Sequence, residues 1–255
     1  MKNISNKFSI LTSIYDGDDY IKNYFNQIIR QKKKPNELVI VDDGKNTLIE
    51  YYSTKLKKKY PSVNIIIIKN KKNFGSTYSL NKGLLHCSNN IIFRLDVDDS
   101  WHPSHTSENL KIIRKNPNYI LYIQTTKLSK FNQIFNDKYF ININRSIHSS
   151  WIINNFNSRF FYSGKKKEPE DYITLTNYLT RQYKIYNSSI NTAYYSRNNK
   201  SHGKRFQKEI EKSRKKCSKK LFNFYRAKSS SIISFVLFDF GIFPFMLYLY
   251  KNYLK

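Results

Sequence analysis

In a chain with 45 Lys and Arg but only 18 Asp and Glu, the positions of the acids carry the first chemical information. Two clusters fall at the ends of short apolar runs. Asp42-Asp43 follows Glu37-Leu-Val-Ile-Val41, and Asp96-Val-Asp98-Asp99 follows Ile91–Leu95. Residues two apart on extended backbone point the same way, so Asp96 and Asp98 can face one ligand together. Carboxylate oxygens are hard donors that suit Mg²⁺ or Mn²⁺, and such ions typically bridge to the oxygens of a diphosphate. Turn formation is the other ordinary use of an Asp-x-Asp pair.

These acids need elements to position them, and the first hundred residues supply a regular alternation. Phe8–Tyr15, Glu37–Val41, Val63–Ile68 and Ile91–Leu95 are apolar runs of strand length. Between them, Asp19–Gln31, Thr47–Tyr60 and Ser76–Cys87 carry apolar residues at helical spacing, as with Tyr20, Tyr24, Phe25, Ile28 and Ile29. Strands apolar on both faces and separated by helices predict βαβ crossovers and a parallel sheet, an α/β doubly wound core. In open α/β sheets ligands bind outside the carboxyl ends of the strands, where both acidic clusters fall. Beyond Trp101 the pattern loosens. Glu108–Lys115 reads as a helix, Tyr119–Gln124 as a strand and Glu170–Gln182 as a helix, while Lys127–Asn144 has no clear period.

Composition narrows the class further. With 40% hydrophobic and 16% aromatic residues the chain is not a disordered polycation. Seven Gly and six Pro exclude a collagen-like or flexible low-complexity chain. The two cysteines, Cys87 and Cys217, exclude a disulfide framework and a Cys-based zinc cluster. No secretory signal is legible in the polar Met1–Ser9, so a cytoplasmic setting is expected. A formal charge of +27 is compatible with nucleic acid, an anionic membrane or an anionic small substrate.

Several segments, taken in order, carry a resemblance. Ser9-Ile-Leu-Thr-Ser-Ile-Tyr15, Glu37-Leu-Val-Ile-Val-Asp-Asp-Gly44, Asn73-Phe-Gly75, Asn81-Lys-Gly83 and Arg94-Leu-Asp-Val-Asp-Asp-Ser-Trp-His-Pro103 resemble the nucleotide-sugar-binding half of the family 2 glycosyltransferases. The likeness runs over roughly residues 5–205 and is dense over residues 8–103. It implies a GT-A fold, a Rossmann-like, mostly parallel sheet flanked by helices. It also implies metal-dependent transfer, with inversion, from a nucleoside-diphosphate sugar, most simply a uridine-linked one, to a hydroxyl of a glycan or glycolipid acceptor in surface polysaccharide synthesis. Mn²⁺ or Mg²⁺ would be the cofactor.

Carried over residue by residue, Tyr15 matches the position that stacks on the nucleobase, with Ser13 nearby. Asp43 matches the acid that accepts a hydrogen bond from the base. Asp96 matches the first acid of the Asp-x-Asp motif, near the ribose, Asp98 the direct metal ligand and Asp99 a supporting acid. Tyr15 also suits a strand-end core aromatic, and Asp43 a turn. Glu168-Pro-Glu-Asp171 resembles the family's Glu-Asp pair: Asp171 would deprotonate the acceptor hydroxyl and Glu170 would shape the acceptor side. Acids in a first helical turn also favour the helix dipole. The preceding Phe160-Phe-Tyr-Ser-Gly-Lys-Lys-Lys167 departs from the glycine-rich stretch usual there. His148 matches a position near the acceptor, or else is a buried structural histidine, and Tyr195-Ser-Arg197 with Ser201-His202 resembles a closing segment that meets the diphosphate.

The chain divides into a catalytic domain over 1–203, a basic helical segment over 204–228 and an apolar tail over 229–255. Lys200–Lys228 holds twelve Lys or Arg, whereas Ser229–Tyr250 has one charge, Asp239, in 22 residues. The basic stretch reads as a solvated helical face or as an attachment to anionic lipid. The tail is long enough to span a bilayer, but Asp239 near its centre would cost about 2.5–3.5 kcal/mol on an insertion scale. Gly241 and Pro244 would break a straight helix, and both flanks are basic. An in-plane or re-entrant helical pair is therefore expected, ahead of packing on the catalytic domain or a full span. The enzyme would sit at the inner face of the cell membrane. A GT-A-like nucleotidyltransferase would need a glycine- and lysine-rich phosphate loop, which Ser13–Asp19 lacks. A basic nucleic-acid-binding protein would leave strand-tip acids as liabilities, so no nucleic-acid partner is expected.

Overall fold

A computed structural model describes residues 6–124, 147–156, 158–188, 190–195 and 207–228. Strand β1 (Ser9–Ile14), helix α1 (Asp18–Arg30), β2 (Glu37–Asp42), α2 (Ile49–Lys59), β3 (Asn64–Lys69), α3 (Ser76–His86) and β4 (Ile91–Arg94) alternate as expected. They are followed by β5 (Ser100–Trp101), α4 (His105–Lys115), β6 (Leu121–Gln124), a 3₁₀ turn at His148–Ser150 and β7 (Ile152–Asn154). The remaining elements are α5 (Glu170–Thr180), β8 (Ile185–Ser188), β9 (Ala193–Tyr194) and α6 (Gln207–Lys228).

Seven strands form one sheet in the order β3-β2-β1-β4-β7-β6-β8, and β5 pairs with β9 in a separate two-stranded ribbon. The β3-β2-β1-β4 half is parallel throughout. Each strand there returns through a helix, the short-loop solution for parallel strands. All six residues of β2 are buried, which explains why its sequence is nearly continuously apolar instead of alternating. Helix α1 buries Ile21, Tyr24, Phe25 and Ile28, spaced i, i+3, i+4, i+7. On the other face Gly83 lets α3 lie against the sheet. A Cβ there would come within 2.3 Å of Leu11 Cδ1, so the contact needs a residue with no side chain.

The second half differs from a simple repeat. β7 runs antiparallel between β4 and β6, while β6 and β8 are parallel. Trp151, Phe160, Tyr162 and Tyr178 pack there as an aromatic cluster, with Trp151 and Tyr162 stacked at 6.0 Å between centroids. The short strands β5, β7, β8 and β9 were not expected from the sequence, and helix α4 begins at His105 instead of Glu108. Helix α6 buries Ile210, Ser213 and Cys217, one residue per turn, and lies along α5. Lys220 Nζ donates to Asn177 Oδ1 at 2.7 Å, and Arg214 stands over the Tyr172 ring. The basic segment is thus seated on the α/β domain. Among the described residues no helix is long and apolar enough to cross a membrane. The tail over 229–255 and all of Lys127–Asn144 lie outside the described residues.

Candidate functional site

The parallel register sets the site. Leu11 on β1 pairs with Arg94 on β4, and Ile14 pairs with Asp42 on β2, so the residues that leave these three strands emerge side by side at one edge. Ser13, on β1, is half-buried. Tyr15, the first residue beyond β1, is 51% exposed, with its ring beside Gly44, where a Cβ would lie 3.3 Å from Tyr15 Cδ2. A large aromatic half exposed at a strand tip is not a core residue, so the core-aromatic alternative for Tyr15 does not apply.

Asp43 is buried, and burial of a carboxylate requires donors. Its Oδ1 accepts from Asn70 Nδ2 and the Phe74 amide, both at 2.8 Å, and Oδ2 accepts from the Gly75 amide at 2.7 Å. Asp43 therefore ties β2 to the segment that enters α3. Gly75 stands at φ +94°, in the left-handed region, and a Cβ there would meet Lys166 Cγ at 2.8 Å. Both constraints suit glycine.

Asp96 is the hub of the β4 tip. Arg94, itself 1% exposed, forms an ion pair with Asp96 Oδ1 and donates to the Leu95 carbonyl. Ser149 Oγ accepts from the Asp96 amide at 2.9 Å, donates to Asp99 Oδ2 at 2.6 Å, and lies 3.2 Å from Asp96 Oδ2. Burial works to raise the Asp96 carboxyl, but the charges of Arg94 and His148, with the Ser149 and Arg94 hydrogen bonds, outweigh it and hold the group below its ordinary value. Asp99 is buried, and its Oδ2 accepts from Ser149 Oγ. Asp98 is half-buried.

A second set of acids arrives from α5. Glu170 is 8% exposed in the first turn, and Asp171 Oδ1 accepts from the Tyr172 amide at 2.7 Å. His148 joins the two sets: its Nδ1 lies 3.6 Å from Asp96 Oδ2 and 3.8 Å from Glu170 Oε1. Burial, together with Arg94, lowers the His148 imidazole against the pull of Asp96 and Asp171, so the ring is held toward its neutral form. Burial first, and then Asp171 and Asp96, push the Glu170 carboxyl up to about 7 against its backbone and Ser76 hydrogen bonds. Tyr195, beyond β9, feels the same cluster. After burial, Asp99, Asp98, Asp96 and Asp171 all act to raise its phenol.

The donor set can be tested against a divalent ion. Among the described residues no group of three or more His, Cys, Asp or Glu is arranged to hold a metal. From the described residues a hard cation here would take at most two carboxylates, and it would complete its shell with water and diphosphate oxygens, a common way of holding Mg²⁺. Asp98 suits that role, whereas Asp96 Oδ1 meets Arg94 and its Oδ2 lies near Ser149 Oγ and His148 Nδ1.

Thus Ser13, Tyr15, Asp43, Asp96, Asp98 and Asp99 share the strand-tip edge, and His148 brings Glu170 to it. Of the expected closing segment, Tyr195 belongs to the same cluster, while Arg197, Ser201 and His202 lie outside the described residues. Sequence reasoning gave no role to Arg94, Ser149 or Tyr162. Arg94 had a legible signal, a cation inside an otherwise apolar strand. Ser149 and Tyr162 had none, because their partners lie 53 residues away at Asp96 and 81 away at Asn81.

The family described as "Glycosyl transferase family 2" matches residues 9–174. An uncharacterized glycosyltransferase of Haemophilus influenzae is 30% identical over 134 residues, 51% of this chain and 48% of that protein. The amylovoran biosynthesis glycosyltransferase AmsE of Erwinia amylovora is 26% identical over 117 residues, 45% of this chain and 43% of its own. The chain thus matches less than half the length of these relatives. Among solved structures, Staphylococcus aureus TarS (1–349) in complex with UDP-GlcNAc superposes with a TM-score of 0.60 at 15% identity, covering 98% of this chain and 76% of that 1–349 chain. The mannosyltransferase PcManGT of Pyrobaculum calidifontis, in complex with GDP-Man and Mn²⁺, gives 0.60 at 12% identity, covering 99% and 85%. At such identities the likeness is one of fold, and the fold is GT-A. The match over residues 9–174, carrying the strand-tip acids and the α5 acids together, makes this chain a member of glycosyl transferase family 2.

Proposed function

We propose that the chain transfers a sugar, with inversion at the anomeric carbon, from a uridine diphosphate sugar to a hydroxyl of a growing surface glycan. The observation that carries the reading is the bridge at His148, within 4 Å of both Asp96 and Glu170. It joins acids suited to a diphosphate donor to acids suited to an acceptor alcohol. Tyr15 would stack on the base. Asp43 would support the base from the 70–75 segment it holds, and Ser13 would line the floor. Asp96 would face the ribose and Asp98 would hold Mn²⁺ or Mg²⁺. Such an ion neutralises the charge that develops on a departing diphosphate.

On the acceptor side, Asp171 would take the hydroxyl proton as the oxygen attacks the anomeric carbon, and the nucleoside diphosphate would leave from the opposite face. Glu170 would shape the pocket wall. Among the described residues His148 Nε2 and Tyr162 Oη are both buried without a hydrogen-bond partner, and a sugar hydroxyl would satisfy such groups. That a relative is named for amylovoran biosynthesis, and that the neighbouring structures hold UDP-GlcNAc or GDP-Man with Mn²⁺, supports both the donor class and a polysaccharide product.

The test is donor hydrolysis, which needs no knowledge of the acceptor. A panel of nucleotide sugars is incubated with Mn²⁺, with Mg²⁺ and with chelator. Slow release of the nucleoside diphosphate from one uridine-linked donor, abolished by chelator, is expected. Equal release with and without metal would overturn the metal assignment. No hydrolysis and no binding of any donor would overturn the reading.

A further inference from the structure

Helix α6 presents two opposite faces. Its inner stripe, Ile210, Ser213 and Cys217, is buried against α5. At 100° per residue the opposite direction is occupied by Lys208, Lys212, Lys215 and Lys219, spaced i, i+4, i+7, i+11. All four are exposed, and none forms an ion pair with a described residue. They make a straight row about 16 Å long at 1.5 Å per residue. The two acids of the helix, Glu209 and Glu211, project to the sides of the row, so no carboxylate interrupts it. Because α6 is fixed by its inner stripe, this row has one orientation relative to the catalytic domain.

We infer that the outer face of α6 is a docking surface for an anionic lipid bilayer. A line of cations on one helical face matches a plane of negative headgroups, each Lys adding roughly fivefold to partitioning when it lies near the surface. The choice of a lipid over a nucleic acid rests on the residues just past the helix. Residues 229–250 carry one charge among 22, an apolar composition that a bilayer can absorb and a nucleic-acid backbone cannot. The helix also sets a direction. Its first turns run beside the first turn of α5, where Ser213 Oγ reaches Glu168 Oε1 at 3.4 Å. A docked bilayer would therefore lie about one helix diameter, ~10 Å, beyond the end of α5 that bears Glu170 and Asp171. The acceptor side would be the side that faces lipid.

The experiment uses the full chain and vesicles of phosphatidylcholine with or without 30% phosphatidylserine (roughly the anionic content that gives a cytoplasmic-leaflet potential). The fourfold variant K208S/K212S/K215S/K219S is compared with K55S/K58S/K59S/K115S, which removes equal charge from α2 and α4. In low salt the α6 variant should lose about 600-fold in partitioning to the anionic vesicles, the product of four fivefold factors, while the control variant stays within about threefold of wild type. Equal losses in both variants would mean that overall charge, not this face, drives binding. Unchanged binding in the α6 variant would assign attachment to the apolar tail alone. Loss of binding to a single-stranded RNA probe with vesicle binding intact would make the partner a nucleic acid. Each of these three results overturns the inference. The variant residues are exposed, so unaltered melting and donor hydrolysis should accompany the loss, which also separates this test from that of the proposed function.

Discussion

The two halves that meet at the site are built by different rules. In the first half, residues 9–101, the acids sit at the tips of strands in a parallel array and are held largely by groups of that same half, Asp43 by the Phe74 and Gly75 amides and Asp96 by Arg94, with Ser149 reaching Asp96 from the second half. In the second half, residues 147–195, the groups come from irregular and antiparallel elements. His148 lies on a 3₁₀ turn, β7 inserts antiparallel between β4 and β6, and Glu170 reaches the edge from α5. The charges differ as well. Asp96 has a buried cation beside it and is held ionised, whereas Glu170 has carboxylates for neighbours and is pushed up. On the proposed reading, the strand-tip side keeps negative charge that a cation can meet. The acceptor side crowds its carboxylates, so that a proton there has somewhere to go.

Substitutions that keep shape and change charge test that contrast. The largest effect is expected for Asp98→Asn. A neutral amide replaces a carboxylate poorly for a hard cation, and loss of metal-assisted charge neutralisation should cost roughly 10³-fold or more in transfer. Donor affinity, followed by calorimetry with and without Mn²⁺, should lose its metal dependence while the fold persists. Metal-dependent affinity equal to wild type would separate Asp98 from the ion.

Asp171→Asn should act on the other half alone. Loss of a general base costs about 10²–10⁴-fold, and nucleotide binding should stay within about twofold of wild type. The amide oxygen of Asn can still accept from the Tyr172 amide, so helix capping is retained. Turnover near wild type would reduce Asp171 to a cap on α5.

How much was legible tracks the same division. The alternation of β1, α1, β2, α2, β3, α3 and β4 could be read because strands buried on both faces write continuous apolar runs and the helices write 3.6-residue periods. The acids were legible because they stand at the ends of those runs in an acid-poor chain. Strands β5, β7, β8 and β9 are two to four residues long, too short for a period to register. Their pairing is decided by tertiary contacts, as when Ile152 meets both Phe93 and Tyr122. The stripe that seats α6 could be read as apolar residues interleaved with Lys, but not the helix that would receive it. Ser149 is the clearest omission, a small residue whose importance is set wholly by partners distant in sequence.

Ser149→Ala should therefore have an intermediate effect. It removes the hydroxyl that donates to buried Asp99 at 2.6 Å and accepts from the Asp96 amide at 2.9 Å. A buried group left without its partner costs about 1–3 kcal/mol, measurable by denaturant unfolding. The looser Asp96–Asp99 turn should lower kcat/KM roughly tenfold, since small misplacements of a positioned group are costly. Rescue by Thr, which restores a hydroxyl, would assign the loss to that hydrogen bond. An equal loss in Thr and Ala would assign it to packing.

The smallest effect, and the one that reads the charge contrast most directly, concerns pH. Glu170 titrates near 7 in the folded chain and at its ordinary 4.5 when unfolded. Between those values the folded state holds a proton that the unfolded state has lost, so stability from this group is fully present below about pH 4.5 and declines as pH rises toward 7. Glu170→Gln removes the titration without removing the shape. It should raise the melting temperature of the metal-free, donor-free chain by a few degrees at pH 8, and the gain should shrink on acidification until the two proteins coincide near pH 4.5. The opposite slope, with wild type gaining on the variant as pH rises, would mean that a cation compensates Glu170. In that case the acceptor side would be built like the donor side after all.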